Sequence, residues 1–129
     1  MKISLLQRLW LVGCLGILLA GCGGQDPAAA AVQGYLKALV AKDLVKLSNY
    51  SCADWEADAQ VDLDSFTSVG TSLEDLQCKL ESTEGNQTVV ACTGKIVADY
   101  DGDLQEIDLS TRKYLAVQEG GEWRMCGYR

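Results

Sequence analysis

The hydrophobic period of this chain changes once. From Pro27 to Phe66 apolar residues recur every three or four positions, and beyond Thr67 they alternate with polar ones. The first period is that of an α-helix with one buried face, the second that of a half-buried β-strand. Helices that all precede the strands give an α+β fold, not an interleaved parallel one. A length of 129 residues allows one domain and excludes a multidomain enzyme.

Three helices are predicted. Asp26 is a natural N-cap and Pro27 a natural first residue for a helix over Ala28–Lys42. Its inward positions are Val32, Tyr35 or Leu36, and Leu39 or Val40. Asp43 caps a second helix, Leu44–Tyr50, with Leu44, Leu47 and Tyr50 inward. A third runs from Ala53 to Phe66, with Trp55, Ala59, Leu63 and Phe66 on one side. Asp54, Glu56, Asp58, Asp62 and Asp64 form an acidic face that reads as solvated.

A four-stranded antiparallel meander follows. Leu76, Cys78 and Leu80 alternate with Gln77, Lys79 and Glu81, and Glu84-Gly85-Asn86 reads as a three-residue turn. Thr88–Tyr100 is a long strand with Val90, Cys92, Ile96 and Ala98 on one face. Asp101-Gly102 is a two-residue hairpin signal. Leu104–Gln118 reads as one long strand facing inward through Ile107, Leu109, Leu115 and Val117. Gly120-Gly121 then turns the chain into Glu122–Tyr128. With these loops Ile96 faces Ile107, Gly94 faces Leu109, Leu80 faces Val90 and Cys78 faces Cys92, so apolar faces coincide as a half-buried sheet requires.

The N-terminus reads as an export signal. Met1–Arg8 carries Lys2 and Arg8 and no acid, and Leu9–Ala20 is apolar or small throughout. Those 12 residues fall short of the ~20 needed to span a bilayer. The run ends in Leu19-Ala20-Gly21-Cys22, which resembles the bacterial lipobox. That resemblance implies a diacylglyceryl group on the Cys22 thiol, cleavage after Gly21, and an anchor of two or three acyl chains that holds a protein stably on a membrane. The implied organisation is a signal peptide over 1–21, a flexible tether over 22–27 and a single α+β domain over 28–129. The implied location is the extracytoplasmic face of a membrane. Gly23, where an Asp resembles an inner-membrane retention signal, leaves the outer or the cytoplasmic membrane open, according to cell type. Removing 21 of the 129 residues leaves 108. Lys2 and Arg8 leave with them, so 9 bases face 18 acids and the net charge deepens from −7 to −9.

Of the six Cys, Cys14 is discarded and Cys22 lipidated, leaving Cys52, Cys78, Cys92 and Cys126. Export to an oxidising compartment favours disulfides. The hairpin register pairs Cys78 with Cys92. A Cys92–Cys126 bond would reach across an intervening strand, about 9–10 Å, where a disulfide needs Cα atoms within about 7 Å. The remaining alternative, Cys52–Cys92 with Cys78–Cys126, has no register support. Cys52–Cys126 is therefore the second expected pair, although Trp123 and Cys126 cannot share a strand face.

Composition narrows the function. An acidic chain has few Lys and Arg with which to hold phosphates, so no nucleic-acid partner is expected. The absence of His removes the usual general base and the commonest zinc ligand. Asp99, Asp101 and Asp103 alternate, but the segment lacks the further ligands and closing Glu of a calcium loop, and Asp-Gly already explains a turn. No metal, cofactor or catalytic residue is assigned. Glu106 and Asp108, with Arg112 and Lys113 nearby, read as cross-strand ion pairs. Trp55, Trp123, Tyr35 and Tyr50 read as aromatic core that could also line a pocket.

Two segments carry a wider resemblance. The helix opening Ala31-Val-Gln-Gly-Tyr-Leu-Lys-Ala-Leu-Val-Ala-Lys-Asp-Leu and the closing Gly121-Glu-Trp-Arg-Met-Cys-Gly are similar to the nuclear-transport-factor-2-like, or cystatin-like, superfamily. They are similar above all to its small bacterial lipoproteins of unassigned role. The resemblance covers about residues 28–129 and implies a cone of helices on a curved sheet, with a pocket between them. Enzymatic members carry an Asp–His or Tyr–Asp set there. Without His, the expected role is a non-enzymatic module on a membrane, binding a small ligand or a protein. The alternatives are a small enzyme using pocket Asp or Tyr, and a scaffold that forms a homodimer through its sheet. Two carboxylates facing the pocket would favour the enzyme, and an exposed apolar sheet face the scaffold.

Overall fold

The computed structural model describes residues 24–129, so the export signal, the lipobox and Cys22 lie outside the described residues. Helices α1 (Pro27–Ala41), α2 (Leu44–Tyr50) and α3 (Glu56–Ser65) come first, with a 3-10 turn, Ala53–Trp55, before α3. Five antiparallel strands follow: β1 (Gly70–Glu84), β2 (Gln87–Tyr100), β3 (Asp103–Asp108), β4 (Lys113–Glu119) and β5 (Glu122–Tyr128).

Helix α1 starts where its caps dictate. The Asp26 carboxylate accepts from the Ala28 and Ala29 N–H groups, and Pro27 needs no donor there. Lys42 ends the helix in the left-handed region, its N–H turned back to the Ala38 and Leu39 carbonyls. The helix lies on the sheet and is flanked by α2, so its buried stripe is wide and includes Val32, Tyr35, Leu36 and Leu39. In α2 only Leu47 is buried. Leu44 and Tyr50, expected inward, are 48% and 37% exposed, because a helix of two turns rests on α1 through one line of contact.

The long strand expected over Leu104–Gln118 is two strands. Its first part pairs with β2 as foreseen, Ile96 opposite Ile107, but this ladder ends at Lys95–Asp108. Asp108 then caps a 3-10 turn, Leu109–Thr111, by accepting from the Ser110 N–H, so Leu109 does not face Gly94. When β4 resumes pairing with β2, Ala91 stands opposite Lys113 and Gln87 opposite Val117. The interruption moves the ladder by one residue, and a one-residue move exchanges the two faces of a strand. Tyr114 and Ala116 are therefore buried, and Leu115 and Val117, expected inward, sit half-buried on the other face.

The β1–β2 hairpin reaches its expected register by another route. Its loop is two residues, Gly85-Asn86, closed by the Glu84–Gln87 pair. One irregularity between Leu80 and Ser82 restores the pairing of Leu80 with Val90 and Cys78 with Cys92. Cys78 and Cys92 are joined by a disulfide with Cα atoms 4.1 Å apart.

Cys126 is joined to Cys52, Cα to Cα 5.3 Å. Trp123 and Met125 share one face of β5 and Cys126 follows on the other, where a bulge begins: Cys126 and Gly127 together oppose Leu115, with Gly127 at φ 138°. Met125, before the bulge, stays buried in the core, and Tyr128, after it, turns back toward α3. Ser51 bridges Met125 in parallel, and the Cys52 N–H donates to the Met125 carbonyl at 2.8 Å. The helical half thus covers the edge of β5, which an open sheet would expose.

Candidate functional site

A cavity of about 220 Å³ lies between the sheet and the helices. Its apolar wall is Leu36 and Leu39 of α1, Phe66 after α3, Ile96 of β2, Ile107 of β3 and Leu109. Asp62, Ser65, Asp108, Arg112, Tyr114 and Tyr128 supply its polar part.

Asp62 departs from the expected solvated face. Asp54, Glu56, Asp58 and Asp64 are exposed, but Asp62 is half-buried. It lies seven residues after Trp55, two helical turns on, and so on the same stripe as Ala59 and Phe66. That spacing was visible in the sequence; what it could not show was a donor waiting inside. The Tyr35 hydroxyl donates to Asp62 Oδ2 at 2.9 Å, the Tyr128 hydroxyl donates to the same oxygen, and Trp55 Nε1 donates to the Tyr35 hydroxyl at 3.2 Å. Tyr35 comes from α1, Trp55 and Asp62 from the α3 segment and Tyr128 from β5, so the cluster ties three elements together.

Tyr128 is also the centre of an aromatic stack. Its ring meets Trp55 edge-on at 5.2 Å and Tyr114 at 5.6 Å, and the Arg112 guanidinium lies over it at 4.4 Å. Burial pushes the Tyr35 phenol well above its ordinary range, and the Asp62 charge pushes it further. Burial does the same for Tyr128, followed by the neighbouring Tyr35 and Asp62. Tyr114, whose hydroxyl donates to the Leu109 carbonyl at 3.1 Å, is pushed up by burial to about 12. All three phenols stay protonated at neutral pH and act as hydrogen-bond donors, not as bases.

The other charged candidates fall elsewhere. Glu106 pairs with Lys95 at 2.5 Å, and Glu74 joins the same lysine at 3.5 Å. Lys113 pairs with Glu81 at 2.8 Å. The expected pairing of Glu106 and Asp108 with Arg112 and Lys113 is therefore not formed, because Asp108 is held in its cap and Arg112 stacks on Tyr128. Asp99 accepts from the Gly102 N–H at 2.6 Å and so closes the β2–β3 turn. Among the described residues no three His, Cys, Asp or Glu side chains converge as a metal site. None of the described helices is long and apolar enough to cross a membrane. Trp123 and Tyr50 do not line the cavity: Trp123 lies beside the start of α1, and the Tyr50 ring packs over Gly34 in its middle. Arg112 and Tyr128 escaped sequence reading, since their meeting depends on the break after β3 and the bulge in β5.

No protein-family model and no curated protein matches this chain. Solved structures do. A ketosteroid isomerase-like protein from Erwinia carotovora atroseptica superposes with a TM-score of 0.53 at 19% identity, over 79% of this chain and 90% of its own. An NTF2-like protein with a cystatin-like fold from Novosphingobium aromaticivorans superposes with a TM-score of 0.52 at 13% identity, over 77% and 75%. At such identities the likeness speaks for architecture alone. The chain has the α+β fold of the nuclear-transport-factor-2-like proteins, three helices on a five-stranded antiparallel sheet.

Proposed function

We propose that this chain is a lipid-anchored protein of the cell envelope whose cone binds a small, mainly apolar ligand with one polar end. The observation that carries the reading is the cavity: an apolar wall ends at Asp62 and Tyr128, where a polar atom can be held. Ligand pockets are mostly apolar with a few convergent polar groups, and commonly hold about 300–1,000 Å³. At about 220 Å³ this one favours a compact molecule over a drug-sized one. Two disulfides accord with an oxidising compartment outside the cytoplasm. The Leu19-Ala20-Gly21-Cys22 motif supports the anchor at Cys22, and Gly23 allows either membrane.

Thermal unfolding with cyclohexanol and toluene as probes tests the binding. A ligand at about 100 times its Kd adds about 2.7 kcal/mol to the folded state. The wild type is expected to gain melting temperature with at least one probe, and Leu109→Trp, which fills the cavity, to lose that gain. No gain in the wild type, or an equal gain in the filled variant, rejects the reading.

A second reading has an observation of its own. Two carboxylates, Asp62 and Asp108, line the cavity, as a small acid–base enzyme would require. Binding is preferred because both are already engaged, Asp62 by two phenols and Asp108 by Ser110. A homodimer through the sheet gains less support, since the side chains of Lys95, Glu74, Glu106, Lys113 and Glu81 place ion pairs across it.

A further inference from the structure

A second hollow lies at the start of α1. Pro27 and Ala30, Asn49 and Tyr50 at the end of α2, and Gly121 and Trp123 around the β4–β5 turn line an open groove. Tyr50 is 37% exposed, and Trp123 is half-buried with one side against the core. Glu122 lines it as well, and one base stands there against two acids: Arg124 pairs with Glu122 at 3.1 Å, lies 4.0 Å from Glu119, and donates to the Asn49 carbonyl. Aromatic side chains with one polar atom suit the headgroup level of a bilayer.

The tether decides which surface meets the membrane. Cys22 stands five residues before Pro27, so even fully extended the chain between them reaches about 18 Å. The Gln25 side chain is also held to the Cys78 carbonyl at 3.3 Å, which shortens the free part. A domain of this size is about 30 Å across. An anchor on Cys22 therefore cannot turn the far side of the domain to the bilayer.

We propose that the groove end of the domain docks on the lipid surface, with Trp123 and Tyr50 seated among the headgroups. The inference rests on the lipid-anchored reading above.

The test uses the full lipidated protein in phosphatidylcholine vesicles with brominated acyl chains. Cleavage at Cys22 removes Trp10 and leaves Trp55 and Trp123 as the only tryptophans. Bromine is expected to quench a substantial part of the wild-type tryptophan emission, and Trp123→Phe is expected to lose most of that quenching while still floating with the vesicles. Protein that carries acyl mass and floats, yet shows no bromine-dependent quenching, overturns the docking and leaves the anchor standing. Equal quenching in Trp123→Phe also overturns it, since Trp55 would then be the residue near lipid. Protein without acyl mass that stays in the aqueous fraction overturns both readings.

Discussion

Tyr35, Tyr114 and Tyr128 govern how the fold responds to alkali. In an unfolded chain a phenol ionises near 10.0, whereas Tyr114 waits until about 12 and the other two lie higher still. Below pH 10 both states keep these protons and stability does not depend on them. As pH rises from 10 toward 12 the unfolded chain releases protons that the folded chain retains, so the folded state loses free energy. Urea midpoints are expected to be flat from neutral pH to about 10 and to fall steeply above it. Tyr114→Phe is expected to lessen that slope. The acceptor of the cluster matters at every pH: Asp62→Ala leaves two phenol donors without their carboxylate, at a cost of about 1–3 kcal/mol in urea unfolding. Asp62→Asn, which keeps an acceptor oxygen, is expected to cost less.

At the scale of elements, irregularities in the strands set which side chains meet. Gly94 has φ 98°, and a Cβ placed there would lie 2.5 Å from the Glu74 carbonyl oxygen and 2.6 Å from that of Asp75. Neither atom can move without shifting β1. Gly94→Ala is therefore expected to destabilise by more than about 1 kcal/mol in equilibrium unfolding, where Gly85→Ala, whose Cβ would meet nothing, pays only for its backbone angle. Such irregularities also explain what could be read in advance. Caps at Asp26 and Asp43, the turn at Asp101-Gly102 and the change of period near Thr67 are local signals, and they placed the helices and the hairpins. The break at Leu109–Thr111 does carry a local mark, the four consecutive polar residues Ser110-Thr111-Arg112-Lys113 after Leu109, but the strand expected over Leu104–Gln118 ran through it. Arg112, Tyr114 and Tyr128 reach the cavity only because of that break and of the Cys126-Gly127 bulge, and this is why most of the polar site was not legible. Asp62 was assigned to the solvated face, although its spacing from Trp55 sets it on the stripe of Ala59 and Phe66.

For the whole molecule, the two disulfides do different work. Cys78–Cys92 closes 14 residues within one hairpin that fourteen- and fifteen-residue strands already hold together. Cys52–Cys126 closes 74 residues and joins the helical half to the last strand, where the Cys52–Met125 hydrogen bond and the Ser51 bridge are the only backbone ties among the described residues of those segments. If the cross-links act mainly on the entropy of the unfolded chain, the short loop contributes about 3 kcal/mol and the long one about 4–5. Cys52→Ala with Cys126→Ala is accordingly expected to lower stability by about 1–2 kcal/mol more than Cys78→Ala with Cys92→Ala, and to raise the urea m-value more, because a longer stretch of unfolded chain is freed. Urea unfolding of the two double variants beside the wild type gives both quantities. The opposite order would place the larger contribution in the native hairpin, where Cys78 and Cys92 are both buried, and not in the freedom of the unfolded chain.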